Sequence, residues 1–552
     1  MPDGSGPTRS PAVCFSARPA PLAPPGRCVR NGRAVVGLLG AGRAAQAAVD
    51  WPVVPTADRP ELSSLQRGAV ADLLRVFPVA DELGRRFAGA GHQLHLVGGS
   101  VRDALLGRLG NDLDFTTDAR PEQILDLVQG WAESTWDTGI AFGTVGVAKK
   151  GLQLEITTFR SDAYDGASRN PVVTFGDSLD GDLLRRDFAI NAMAVSLPDH
   201  RFSDPFGGLA QLSDRILDTP GTPERSFHDD PLRMLRCARF AAQLSFTPAT
   251  RVVAAMTQMA GEIARITVER IAAELQKLLL SAGPRTGLTL LTDTGLATFV
   301  LPELPALMFE RDEHHQHKDV YEHSLTVLDK AIALEEAGPD LTLRMAALLH
   351  DIGKPATRRF IDGGGVSFHH HEVVGRKLVR KRLRELRYPK HLIEDVAELT
   401  FLHLRFHGYG DGSWTDSAVR RYVTDAGPLL PRLNKLVRAD CTTRNRRRQL
   451  ALQRSYDDLE ARIEALAAAE DLARVRPDLD GNAIMQLLGV GPGPVVGRAW
   501  AHLKELRLEN GPMGRDEAEG ALFRWALEQG LVPENRVPEE ETRRQQSSPD
   551  RE

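Results

Sequence analysis

The stretch LVGGSVRDALLGRLGNDLDF, residues 96–115, limits what this chain can fold into more than any other segment. An apolar run, LHLV, enters Gly98-Gly99-Ser100, and VRDALLGRL then has the length of a short helix. Glycine lets the backbone come close to a ligand, and the free N–H groups at a helix start favour a phosphate. Asp112 and Asp114 follow, alternating with Leu113 and Phe115. On a strand this puts both carboxylates on one face and the apolar pair on the other. Like charges so close repel unless a cation lies between them, and the usual solution is a pair of Mg²⁺ ions about 3.5–4 Å apart that handle phosphates. In LQLEIT, Leu152, Leu154 and Ile156 face one way and Gln153, Glu155 and Thr157 the other, so Glu155 is the candidate third carboxylate. An acidic turn capping a helix is the alternative for an isolated pair of aspartates. The glycine turn upstream and the alternation through the pair favour metal-dependent nucleotidyl transfer.

At 552 residues the chain has room for three or four domains of ~150 residues each. Hydrophobic residues at 42% and charged residues at 26% fit a soluble globular protein, and no apolar run reaches the ~18 residues of a membrane span. The net charge of −5 means that any grip on nucleic acid must come from local basic patches. Cys14, Cys28, Cys237 and Cys441 lie far apart with no CxxC, which argues against a zinc finger or disulfide framework and for the cytoplasm. Residues 1–58, rich in Pro, Ala, Gly and Arg, are expected to be a disordered N-terminal extension or the product of a start codon placed too early. A polar C-terminus over 536–552 is likewise expected to be disordered. Strand patterns mix with helices over 61–208. After Leu209 the strands are expected to stop, because apolar residues recur at three and four, the period of amphipathic helices.

Four further motifs follow in order: LLRRDFAINAMA (183–194), DPFGG (204–208), HDDPLRMLRCARF (228–240) and VERIAAELQKLL (268–279). Arg185 and Arg186 offer fixed positive forks for a triphosphate, Asp187 can orient one of them, and Asn191 adds a neutral donor. A surface salt-bridge cluster is the alternative. Asp204 and the glycines after it form a turn between sheet and helices. Asp230 and Arg233 stand three apart on an expected helix and so share a face. An ordinary ion pair would explain them. So would base selection, since cytosine and adenine each show an exocyclic amine beside a ring acceptor and match a carboxylate and a guanidinium, whereas uracil and guanine do not. Arg102, Arg236 and Arg239 complete the candidate nucleotide-binding set with Gly98, Gly99 and Ser100.

With its Gly-Ser turn and DxD pair, the segment resembles the DNA polymerase β type of nucleotidyltransferase. The ordered motifs, spanning roughly 90–450, resemble bacterial CCA-adding tRNA nucleotidyltransferases of the second class and the related poly(A) polymerases. This family usually has Glu-Asp where the chain has Asp229-Asp230, and it gives the positions matching Asp230 and Arg233 the base-reading role. The resemblance implies an α+β fold: a polymerase β-like mixed-sheet nucleotidyltransferase head at 61–208, then an all-α neck (209–310), HD domain (311–450) and tail (451–535). It implies addition or repair of the tRNA 3′-terminal CCA from CTP and ATP, with Mg²⁺ on Asp112, Asp114 and Glu155, no membrane and no inferable protein partner. A poly(A) polymerase, a CC-adding or an A-adding enzyme shares these motifs. An HD phosphohydrolase or regulatory protein with a non-catalytic head is the rival from another class.

The HD resemblance rests on His323 in VYEHSLTV, His350-Asp351 in MAALLHDIGKP and Asp440 in LVRADCTTR. Members of the HD phosphohydrolase superfamily hold a divalent metal with such a set, and imidazole with carboxylate suits Mn, Fe, Ni or Zn as well as Mg. His371 and His403 are candidates for a second metal or a phosphate; His314, His315 and His317 read as solvated, and His369 has no assigned role. The densest basic stretches are 376–392 and 443–449. On a helix the first sets Arg376, Arg380, Arg384 and Arg387 along one side, an expected RNA-binding face. The resemblance implies that the tail packs on the tRNA body.

Overall fold

Alternating apolar residues build the mixed sheet of the head. The computed structural model describes residues 62–532 apart from 109, 111, 137–138, 141–142, 161–174, 177, 310–319, 361–365, 407–413, 444 and 471–474. The two expected disordered ends (1–58 and 536–552), His314, His315, His317 and the side chain of Asp112 lie outside the described residues. Helices α1 (Ser64–Val76) and α2 (Pro78–Gly89) precede β1 (Leu94–Val97), α3 (Gly99–Leu105), β2 (Asp112–Thr117), α4 (Pro121–Val128), β3 (Ser134–Trp136), β4 (Thr144–Lys149), β5 (Leu152–Thr158), α5 (Leu179–Leu184), β6 (Ala194–Leu197), β7 (Phe202–Ser203) and α6 (Gly208–Asp214). The sheet order is β3-β4-β5-β2-β1-β6-β7, antiparallel throughout except for the parallel pair β2/β5. Leu113, Phe115, Leu154 and Ile156 are buried and Glu155 is exposed, as the alternation requires.

The expected end of strands after Leu209 needs correction, because β8 (Ile216–Leu217) pairs with β9 (Thr247–Pro248), and β10 (Arg359–Phe360) with β11 (Val366–Ser367). Two-residue strands are too short to leave a period-2 trace. Otherwise the remainder is helical: α7 (Pro223–Asp229), α8 (Leu232–Leu244), α9 (Thr250–Met259), α10 (Val268–Leu279), α11 (Pro284–Asp293), α12 (Ala297–Val300) and α13 (Glu303–Ala306) form the neck. The HD region holds α14 (Val320–Ala333), α15 (Leu341–Leu349), α16 (Lys354–Thr357), α17 (His371–Glu385), α18 (Lys390–Leu402), α19 (Asp416–Ala426) and α20 (Leu430–Asp440). Next come α21 (Arg446–Ala469), α22 (Gly481–Leu488), α23 (Pro494–Asn510) and α24 (Arg515–Glu528). Tyr456 and Leu459 of α21 join the large core that runs from head to HD region, while residues from Leu479 onward pack into a core of their own. Among the described residues no helix is long and apolar enough to cross a membrane.

Candidate active site

The glycine turn, Asp114 of β2 and Arg186 meet where β1 passes into α3. Gly98 has φ +72°, and a Cβ there would lie 3.1 Å from Nη1 of Arg186 and 3.4 Å from Oδ2 of Asp114. Only glycine lets the turn pass beneath both. Ser100 Oγ accepts the Asp114 amide at 3.2 Å, tying the start of α3 to β2. Gly99 opens α3 beside them. In the parallel pair Asp114 is opposite Glu155, and Asp112 is opposite Gln153. Strand register therefore delivers the two carboxylates side by side, a donor set suited to a hard divalent cation.

The partner of the arginine pair differs from the expected one. Asp182, fully buried within α5, accepts Arg185 through Nε (3.0 Å) and Nη2 (2.6 Å) on one oxygen and Arg186 Nη2 (3.1 Å) on the other. Burial alone would raise its carboxyl, but the two guanidiniums outweigh that and hold it below the usual range. Asp182 was missed in the sequence, although its spacing of three and four from the arginines is the helical ion-pair signal. Asp187 instead accepts Asn191 Nδ2 at 2.9 Å and Arg236 Nε at 2.8 Å, and Arg236 outweighs burial to hold its carboxyl well down.

The remaining candidates form one chain of contacts from head to neck. Arg102 Nη1 donates to Asn191 Oδ1 at 2.7 Å and its other nitrogens to Asp103. Glu274 of α10 takes Arg239 at 2.7 Å and Arg236 at 3.6 Å. Arg102, Arg236 and Arg239 all lie within 5.5 Å of the Phe240 ring centroid. Arg102 and Arg239 are buried, so they brace the junction rather than line an open face. Asp204 caps α6 by accepting the amides of Gly208 (2.7 Å) and Leu209 (2.9 Å).

Asp230 and Arg233 do not share one helix. Asp230 is extended at the break between α7 and α8, and its carboxylate holds Arg270 at 2.8 Å and the Leu232 amide at 3.2 Å. Proline at 231 ends the first helix and starts the second. Arg233 reaches Ser226 Oγ (2.8 Å) and the carbonyl of Arg185 (2.5 Å), so Asp230 and Arg233 are not an ion pair and the Arg233 guanidinium is set beside Arg185.

In the HD region four helices converge. His323 Nε2 lies 3.2 Å from His350 Nε2 and 3.0 Å from Asp440. On the other side His371 Nε2 lies 3.3 Å from His403 Nε2 and 3.2 Å from Asp351. The Nδ1 atoms of His350, His371 and His403 meet carbonyls of Ala347, Phe368 and Thr400, which only accept, so these nitrogens carry the hydrogen. Each Nε2 is then the ring atom available to a cation, and it faces a neighbouring imidazole and carboxylate. Two groups of candidate ligands result: His323, His350 and Asp440, and Asp351, His371 and His403. Burial would lower His350, but Asp351 and Asp440 push it up to about 9, so without a metal a proton takes the cation's place. Burial pulls His403 down to about 3. Lys354, not singled out in the sequence, lies 2.9 Å from Asp351. His369 is exposed.

The expected RNA face is largely occupied. Arg376 pairs with Glu398, Arg380 with Glu394 (2.9 Å) and Arg387, beyond the end of α17, with Glu269. These arginines brace α17 against α18 and the neck, an outcome no helical-wheel argument reveals because the glutamates come from other elements. Arg384 is exposed without such a partner among the described residues, and Arg446, Arg447 and Arg448 are exposed at the start of α21.

Three family descriptions match in order: a Poly A polymerase head domain over 94–218, a probable RNA and SrmB-binding site of polymerase A over 245–308, and an HD domain over 320–463. The chain is 46% identical over 208 residues to a CCA-adding enzyme of Levilactobacillus brevis, a match covering 38% of this chain and 51% of that one. It thus spans about half the length of that relative. A CCA-adding enzyme of Anoxybacillus flavithermus is 33% identical over 63% of this chain and 74% of its own. An A-adding tRNA nucleotidyltransferase of Deinococcus radiodurans is 33% identical over 78% of this chain and 95% of its own. The fold is shared with the Bacillus stearothermophilus CCA-adding enzyme in complex with CTP (TM-score 0.60, 24% identity, 82% of this chain and 99% of that one). Head sheet, neck, HD region and near full-length likeness agree: the chain belongs to the family of CCA-adding and A-adding tRNA nucleotidyltransferases.

Proposed function

We propose that this chain adds or repairs the 3′-terminal CCA of tRNA, using CTP and ATP. The observation that carries the reading is Asp114 standing opposite Glu155 beneath the Gly98 turn, with Arg186 at the same point. Asp112, Asp114 and Glu155 would hold Mg²⁺, which when bound supplies charge neutralisation at the reacting phosphate and lowers the pKa of the attacking hydroxyl. The chain's own groups do the positioning. Gly98 to Ser100 and the start of α3 receive phosphate oxygens. Arg185 and Arg186, clamped by Asp182, offer their outward nitrogens to the triphosphate. Asp230 and Arg233 accept from and donate to the base edge, selecting cytosine and adenine. The 3′ hydroxyl of tRNA is then aligned with the α-phosphorus, and pyrophosphate leaves. Relatives named for CCA addition, and solved structures titled as complexes of CCA-adding enzymes with tRNA, CTP and ATP, support this reading. Such substrates belong to the cytoplasm.

A second reading, addition of the terminal A alone, is favoured by the match that covers 95% of the Deinococcus enzyme. Incubating the protein with tRNAs ending before CCA or after CC, with each NTP, and sequencing the products separates the two, and separates both from poly(A) synthesis. CMP-CMP-AMP addition is expected; AMP-only addition to the CC end overturns the first reading. Asp114→Ala and Glu155→Gln are expected to reduce incorporation at least a hundredfold with folding intact.

The HD cluster we assign to divalent-metal binding, with phosphate-ester hydrolysis as the chemistry it supports. The clustering of imidazole nitrogens and carboxylate oxygens, within 4.8 Å of one another in each group, supports the assignment. Metal analysis of wild type and His350→Ala tests it. For RNA, Arg384 is the member of the basic set left exposed to a phosphate, while Arg376, Arg380 and Arg387 would have to exchange glutamates for one.

A further inference from the structure

The hairpin β10/β11 carries the most exposed large apolar side chain among the described residues, Phe360, at 78%. Single exposed apolar residues are common on protein surfaces, but this one sits in an unusual setting. The guanidinium of Arg358 lies over its ring, 5.0 Å from the centroid, and Arg359 beside it is also exposed. The ring is thus backed by a cation while most of its surface stays exposed.

The hairpin is also fastened at both ends to the HD cluster. Its leading stem grows from α16, whose Lys354 contacts Asp351 and lies 5.6 Å from the centre of the Phe368 ring. Its returning stem ends at Phe368, whose carbonyl receives Nδ1 of His371. Gly353 lets the turn after Asp351 lie against the backbone of α17, since a Cβ there would come within 2.1 Å of the His371 carbonyl oxygen. Both stems of the hairpin thus contact candidate metal ligands, Asp351 on one side and His371 on the other. Phe360 pairs with Val366, two residues or roughly 7 Å along the strand from Phe368. A base on Phe360 would then leave the cluster to a neighbouring phosphate of the same strand.

We propose that Arg358 and Phe360 form a stacking platform for a base of a single-stranded RNA whose phosphate is held at the HD cluster. The proposal rests on the metal-binding reading of that cluster. Aromatic–base stacking tolerates any sequence, and the cations Arg358, Arg359 and Lys354 suit a phosphate backbone.

The test uses full-length protein and a short oligoribonucleotide containing 4-thiouridine and ending in a 3′-phosphate, which cannot serve as a primer in the head. Irradiation with Mn²⁺ present is expected to crosslink the peptide that contains Phe360. Phe360→Ala should cut that crosslink about tenfold, Phe360→Trp should keep it, and nucleotide addition to tRNA should be unchanged in both. Because Phe360 is so exposed, neither substitution threatens folding. The proposal is overturned if Phe360→Ala crosslinks like wild type, or if the crosslink persists when Mn²⁺ is removed. A calorimetric Mn²⁺ titration without RNA reports on the cluster separately: absence of binding sinks the metal reading itself, whereas binding with no hairpin crosslink sinks the platform alone.

Discussion

Arg236 of the neck donates to the buried carboxylate of Asp187 in the head through Nε at 2.8 Å and a second nitrogen at 2.6 Å. This contact joins the segment that follows Arg185 and Arg186 to the helix α8 that begins beside Asp230. Breaking a buried pair leaves an uncompensated charge, so Arg236→Ala is expected to destabilise the protein by about 2–4 kcal/mol, the partial exposure of Arg236 keeping it toward the lower end. A double-mutant cycle with Asp187→Asn, read by denaturant unfolding, should give a coupling of about 1–3 kcal/mol. Additive effects would show that the pair does not link the two domains.

Asp182 holds Arg185 and Arg186, the two arginines proposed to receive the triphosphate. Asp182→Asn keeps the shape and removes the charge that the guanidiniums face. The expected result is a KM for CTP and ATP raised ten- to a hundredfold with a smaller change in kcat, measured by steady-state incorporation into tRNA. An unchanged KM would mean that the arginines hold their positions without it.

Gly98→Ala introduces a methyl group 3.1 Å from Nη1 of Arg186 at a φ of +72°. Activity is expected to fall about a hundredfold. Gly107, also at φ +72° but with open space around it, separates strain from crowding. Gly107→Ala should lower the melting temperature a little and leave nucleotide addition intact.

His95 lies within the sheet, its Nδ1 3.0 Å from Ser196 Oγ, and burial lowers its pKa to about 4. The unfolded chain binds the proton near pH 6.5, so the folded state loses stability as the pH falls from about 6.5 to about 4 and keeps it in full above. The loss is about 3 kcal/mol. Denaturant midpoints at pH 7.5 and 5 should differ in wild type and differ less in His95→Gln. Equal pH dependence in the two proteins would exclude His95 as the source.

Alternation in DLDF and LQLEIT was legible because a strand repeats every two residues, and the burial of Leu113, Phe115, Leu154 and Ile156 follows it. The glycine turn, the placement of His350 at the end of an apolar helix, and the family likeness were legible for the same local reason. Asp182 was within reach of the same reasoning, being three and four residues from its arginines.

What the tertiary structure decided is which distant groups meet. The register of β2 against β5 sets Asp114 opposite Glu155, 41 positions away. The crossing of α14, α15, α17 and α20, with the turn that follows α18, gathers six candidate ligands that lie up to 117 positions apart. It also gave Asp187 to Arg236, Asp230 to Arg270 and the basic stripe of α17 to glutamates on other helices. Periodicity determines the side of an element on which a charge stands. Its partner is chosen by packing, because electrostatic and hydrogen-bond energies depend on distances of a few ångströms that sequence separation does not encode.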